Sequence, residues 1–223
     1  DRRAKAESIA GHVLEELRTR RVKHADLYRV LRHWKCTANY SRRKLAEDQE
    51  PVESDTFGLV VQQDTREHLH SADTRDYPQI ATFLNAYLVA FLGEGNEHFK
   101  FTSICVNDSF RCVRHRDRNN EGPSVLVATG TYKNGGSLRW WPTDDGGDLS
   151  QLRPEDAMLL RVRRRPTLFN GRKAHEVTHF DGRRVSVTWY CAKNAWKALV
   201  ALCNKLQALG YRVLQGPEDL RAK

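Results

Sequence analysis

The chain has 223 residues, 39% of them hydrophobic and 29% charged, which excludes a wholly disordered protein and predicts one substantial core in a single domain over 1–223. Its 37 Lys and Arg exceed its 28 Asp and Glu, and the net charge of +9 suits a polyanionic partner. Five cysteines (Cys36, Cys105, Cys112, Cys191, Cys203) with no C-x-x-C pair exclude a disulfide framework and a thiolate zinc site.

The N-terminal third reads as helical. Ala6, Ile9, Val13, Leu14 and Leu17 recur at three-to-four spacing, and Leu27, Val30, Leu31 and Trp34 follow a basic run from Arg18 to Lys23. Residues 40–56 are polar, contain Pro51 and predict an exposed loop, with a short strand over 58–61. The apolar run 77–92, closed by Gly93 and Gly95, predicts a buried helix. The pattern then changes to short β-favouring runs at 99–106, 111–115, 124–131, 137–141, 157–162, 167–169 and 184–191, separated by Asn/Asp/Gly/Pro clusters. That spacing predicts a jelly-roll sandwich or barrel. A last amphipathic helix over 194–209 stops at Gly210. The expected class is α+β: a helical flank over 1–95, a β core over 96–192 and a C-terminal helix in 193–223. No window of eighteen apolar residues and no N-terminal apolar signal run occur, so the expectation is an intracellular protein without a membrane partner. The start at Asp1 without Met is that of a fragment or a processed chain.

Within the β region, His115-Arg116-Asp117 is an H-x-D triplet at the end of a strand-like run, where alternation places both side chains on one face. His175, 58 residues beyond Asp117, offers a third ligand from a distant strand. Two imidazoles and one carboxylate make the facial triad of non-haem Fe(II) oxygenases, which leaves positions for a co-substrate and O2. Downstream, period two puts Arg184, Ser186, Thr188 and Tyr190 on one face, so that Arg184 with Ser186 forms a clamp for the far carboxylate of a dicarboxylate co-substrate. Arg183 is the rival; it points to the opposite face unless a bulge intervenes.

His115-x-Asp117, Gly135-Gly136-Ser137-Leu138 through Pro142, His175-Glu-Val, Arg184-x-Ser186 and Trp189-Tyr190, in that order over about 99–191, resemble the Fe(II)/2-oxoglutarate-dependent dioxygenase superfamily. The resemblance implies a double-stranded β-helix, iron on His115, Asp117 and His175, and 2-oxoglutarate held by Arg184 and Ser186 with Asn107 and Tyr190 beside them. It also implies oxidative decarboxylation of 2-oxoglutarate, with O2, coupled to C–H hydroxylation. Two branches are similar to different segments. The Gly-Gly-x-Leu-Arg and His-Glu-Val stretches resemble prolyl-hydroxylase-type enzymes. His115 to Asn120 followed by Gly122-Pro123-Ser124 resembles the TET and base-J-binding-protein type of methylpyrimidine oxygenases.

Charge placement adds to the second branch. Arg111, Arg114, Arg116 and Arg118 surround the H-x-D run; Arg161, Arg163, Arg164, Arg165, Arg172 and Lys173 approach the distal histidine. An enzyme acting on a base must hold phosphates and take the target out of the stack. Candidate substrate contacts are therefore Arg116, Arg118, Asn119, Asn120 and Arg172, with Trp140, Trp141, Phe169 and His179 for stacking. The N-terminal cations Arg18, Arg20, Arg21, Lys23, Arg42, Arg43 and Lys44 are a second DNA-facing set. The expectation is hydroxylation of a nucleobase in DNA, at the methyl group of 5-methylcytosine or thymine, in the nucleus if the source is eukaryotic. The alternatives are a prolyl-type protein side-chain hydroxylase and a non-catalytic nucleic-acid-binding jelly-roll.

Overall fold

Helix α1 (Arg2–Glu16) starts where the Asp1 carboxylate accepts from the backbone N–H of Arg3, and it buries Ala6, Ala10 and Val13, a stripe at i, i+4 and i+7. Helix α2 (His24–Leu31) buries Leu27, Val30 and Leu31. After the short α3 (Ala72–Asp76), α4 (Pro78–Phe91) opens on a proline, whose missing N–H costs nothing at a first turn. The Glu7 carboxylate of α1 accepts from the free N–H groups of Gln79 and Ile80, which fixes α1 to the start of α4. The computed structural model describes all residues except Glu47, Gln49, Gln63, Glu94, Glu97 and 221–223; the side chains of Arg43 and Leu220 also lie outside the described set.

The described residues form ten strands, in chain order β1 (Ala38–Asn39), β2 (Val52–Val61), β3 (His68–His70), β4 (Ser103–Asp108), β5 (Asn120–Gly130), β6 (Leu138–Trp140), β7 (Met158–Leu160), β8 (Thr167–Phe169), β9 (His175–Val177) and β10 (Arg184–Ala192). The larger sheet runs β1-β2-β4-β10-β5-β8, with β3 on β2, and the smaller runs β7-β6-β9; all ladders are antiparallel. Together they form a double-stranded β-helix with helices at both ends of the chain. One face of the larger sheet packs against α1, α2 and α4 in the main core, where the Tyr87 and Trp189 rings stack at 6.4 Å. Each such fully buried aromatic contributes about 1.5–3 kcal/mol through apolar burial. A smaller cluster including Leu126, Ala128, Tyr132, Leu138, Phe169 and Phe180 joins the two sheets.

Several boundaries differ from the sequence expectation. Residues 40–56 are not a free loop: they form a 3-10 turn (Tyr40–Leu45) and the first half of β2, with Val52, Ser54 and Asp55 buried. Pro51 misled because it immediately precedes the strand, where no ladder N–H is needed. The helical flank thus also supplies three strands. The expected strand at 111–115 is reduced to single bridges, Ala46 with Cys112 and His115 with His175. The expected helix over 194–209 splits into a 3-10 turn (Ala195–Lys197) and α5 (Val200–Ala208). All five cysteines are free, and no helix among the described residues is long and apolar enough to cross a membrane.

Candidate metal centre and its cavity

His115 and His175 exchange both backbone hydrogen bonds at 3.0 Å, which brings their rings to a centroid separation of 4.4 Å. Each Nδ1 faces a backbone carbonyl two residues earlier, Val113 at 2.8 Å and Lys173 at 2.9 Å. Those bonds fix the tautomers with Nδ1 as donor, so both Nε2 lone pairs are available as ligands. Both face the Asp117 carboxylate, His115 Nε2 at 3.5 Å from Oδ1 and His175 Nε2 at 3.8 Å from Oδ2. The three donor atoms lie within 4.8 Å of one another. Two neutral imidazoles and one carboxylate on one side of a point suit an octahedral ion such as Fe(II).

Burial opposes charging of His115, but the hydrogen bonds to Asp117 and Cys112 outweigh it and push its pKa up to about 10. Burial lowers the pKa of His175. Burial would raise the pKa of Asp117, yet His115, His175 and Arg42 hold it below the usual carboxylate range. The same Asp117 contacts that favour a charged His115 would favour a bound cation, so a metal and a proton compete for the site. Asp117 is fixed by its own N–H on Gly171 O at 2.9 Å and by Asn120 Nδ2 on Oδ2 at 2.9 Å. Glycine is required at 171 by close approach: an added Cβ would stand 2.8 Å from Asp117 Oδ2.

The triad opens into a cavity of about 850 Å3 that Arg184, Ser186, Thr188 and Tyr190 also line. The alternation predicted for β10 is present: Val185, Val187, Trp189 and Cys191 face the main core instead. The register sets Ser186 opposite Asn107 of β4, and both line the cavity. Arg184 is 1% exposed. Its Nε donates to Gly136 O at 3.1 Å, while its Nη2 is buried without a partner. Gly136 (φ +74°) is the second glycine of the Gly-Gly-Ser-Leu motif; a Cβ there would stand 2.6 Å from the Tyr132 ring and 3.2 Å from Arg184 Cδ. Burial lowers the pKa of Arg184, because no carboxylate offsets the desolvation of its charge. Arg183 lies on the other face, where it binds Asp108 through Nε at 2.9 Å and Nη2 at 2.6 Å. The register shift in β10 falls between Trp189 and Cys191, beyond both arginines.

The predicted basic mouth is largely rearranged by ion pairing. Arg116 binds Asp144 twice, at 2.6 and 2.7 Å, and Arg114 and Arg139 both reach Glu176. Arg164 lies close enough to α2 and α4 for its charge to lower the pKa of His24, where burial is the larger cause. None of Arg161, Arg163, Arg164 and Arg165 lines the cavity, and neither does the exposed Arg172. Asn119 and Arg118 are exposed at its rim, and Asn120 lies just inside. Of the stacking candidates, Phe169 meets the His175 ring edge-on at 5.3 Å, Trp141 is fully buried with Nε1 on Arg153 O, Trp140 Nε1 is bonded to Asn170 O, and His179 is exposed. Arg18 and Arg20 are paired with helix carboxylates, and Arg43 has no described side chain.

Three contributors had no sequence signal of their role. Arg42, expected in the N-terminal DNA-facing set, instead enters the cavity from the 3-10 turn and donates to Ser54 Oγ and Asn107 Oδ1 at 2.8 Å each. Asp144, read as part of a turn, accepts from the N–H of Ala174 and from Arg116, which anchors the segment before His175. Gly171 gives way to the Asp117 carboxylate.

No protein-family model and no curated protein matches the sequence. Solved structures align with the chain at low identity. NgTET1 in complex with 5mC DNA aligns at 15% identity and TM-score 0.43 over 70% of this chain and 68% of that one. A Pseudomonas putida prolyl-4-hydroxylase aligns at 14% and 0.36, over 84% and 88%. A prolyl hydroxylase from Trichoplax adhaerens, in complex with a hypoxia inducible factor peptide, aligns at 13% and 0.35, over 84% and 90%.

Proposed function

We propose that the protein is an Fe(II)/2-oxoglutarate-dependent dioxygenase whose substrate is a nucleobase in DNA, oxidised at the methyl group of 5-methylcytosine or thymine. The observation that carries the enzymatic reading is one cavity lined both by a two-histidine, one-carboxylate donor set and by Arg184, whose buried Nη2 has no partner. A buried guanidinium with one nitrogen unbonded and no carboxylate partner is costly unless an anion completes it. The far carboxylate of 2-oxoglutarate fits that position, with Ser186, Asn107 and Tyr190 lining the space between. Bound there, iron and 2-oxoglutarate supply O2-dependent hydroxylation of a C–H bond, with release of succinate and CO2. The chain's own part is positional. The backbone carbonyls of Val113 and Lys173 fix the imidazole tautomers, Asn120 and Gly171 aim the carboxylate, and Phe169 closes one side of the site against water.

The nucleobase reading is supported by Arg118, Asn119 and Asn120 at the rim, where amide groups can bond a base edge and a cation can bond a phosphate. A second reading, a protein side-chain hydroxylase, is favoured by the pairing of Arg114 and Arg116 with Glu176 and Asp144, which removes two cations from the mouth. Succinate release measured with methylated DNA, unmodified DNA and proline-containing peptides separates them. Stimulation by methylated DNA alone is expected; stimulation by peptides alone would transfer the assignment to the second reading.

A further inference from the structure

A second, larger groove of about 1400 Å3 lies between the β2–β3 hairpin and the segment 192–202. It adjoins the metal cavity: Thr56, Asn119, Asn120 and Tyr190 line both. Its two walls are tied together by His68 Nε2 to Lys193 O at 3.1 Å and His70 Nε2 to Leu202 O at 3.0 Å. The C-terminal wall carries exposed Lys193 and Lys197, and Arg118 is exposed near the junction with the metal cavity. Its two carboxylates, Asp64 and Glu67, are confined with Arg66 to the hairpin connection. Beside the lysines, Leu199 and Val200 stand 71% and 75% exposed.

We infer that this groove is the track of a nucleic-acid strand, with Lys193, Lys197 and Arg118 on its phosphates and the Leu199 tip against its bases; the inference rests on the nucleobase reading above. Charge distribution argues for this occupant. Arg114, Arg116, Arg139 and Arg183 are each bound to a carboxylate. Lys193 and Lys197 carry no ion pair with any described residue, and Lys197 Nζ stands 4.8 Å from the centre of the half-exposed Trp196 ring. Unopposed cations next to exposed aliphatic side chains match a chain with a charged backbone and apolar base faces. The shared residues Thr56, Asn119, Asn120 and Tyr190 then form the passage through which one nucleotide leaves the strand and reaches the metal.

The test is fluorescence anisotropy of a labelled single-stranded oligonucleotide containing 5-methylcytosine, titrated at several salt concentrations with the full chain. Lys193→Glu/Lys197→Glu should weaken binding at least tenfold and reduce the slope of log K against log salt by about 1.4, the value for two phosphate contacts on a single strand. Its melting temperature and its 2-oxoglutarate turnover without nucleic acid should not change. Arg164→Glu, against the helices, should bind as the wild type does. Unchanged affinity in the double variant overturns the track, as does an acidic peptide that outcompetes the oligonucleotide at these lysines. Binding lost in the double variant, with no nucleic acid stimulating wild-type succinate release, upholds the track and defeats the nucleobase reading. DNA-stimulated turnover that the double variant retains in full defeats the track alone.

Discussion

Strand β10 sends Val185, Val187, Trp189 and Cys191 into the core beneath the helices, and Arg184, Ser186, Thr188 and Tyr190 into the metal cavity. The outer set gains stability from apolar burial. The inner set includes a guanidinium held out of water with Nη2 unbonded, a cost that the packed face has to offset. The contrast between Arg183 and Arg184 makes the same point within two residues: one is satisfied by Asp108, and the other is buried with Nη2 unbonded. In this strand, the face that stabilises the fold and the face that would bind the co-substrate are separated by the pleat alone.

Four substitutions break or sharpen that comparison. Asp117→Ala should abolish iron-dependent succinate release without lowering the melting temperature; retained turnover would mean the metal is held elsewhere. Trp189→Ala, on the outer face, should cost about 3–5 kcal/mol in denaturant unfolding while the folded fraction keeps its 2-oxoglutarate requirement. Arg184→Met should do the reverse. The 2-oxoglutarate concentration for half-saturation should rise roughly 10- to 100-fold, the worth of a charge-assisted hydrogen bond, with stability unchanged or increased. An unchanged requirement would remove Arg184 from the co-substrate site. Asn120→Ala should have the smallest effect, weakening metal binding about tenfold in a direct titration by loosening the Asp117 carboxylate; no change would show that the bond from the Asp117 backbone N–H to Gly171 O suffices.

The sequence carried the features that depend on local pattern. Period two on β10 is legible because a strand alternates whatever it packs against, and H-x-D with a distal His marks a donor set by residue type. The helix over 78–91 was legible from its apolar run and its glycine stop. Boundaries that depend on a partner were not: β2 is a strand because β4 pairs with Glu53 to Gly58, and nothing in its polar first half signals that ladder.

Motif order, alternation and donor chemistry were thus determined by the sequence itself. Only the tertiary structure decided which arginines are already occupied, since the partners of Arg114 and Arg116 lie 62 and 28 residues away. It also decided that Arg42 enters the cavity, that the 161–165 run is absent from the cavity wall, and that a second groove meets the first at Asn119 and Asn120. Charge along a chain is additive, but the field at a site depends on where folding brings opposite charges together, and a linear sequence does not contain those distances.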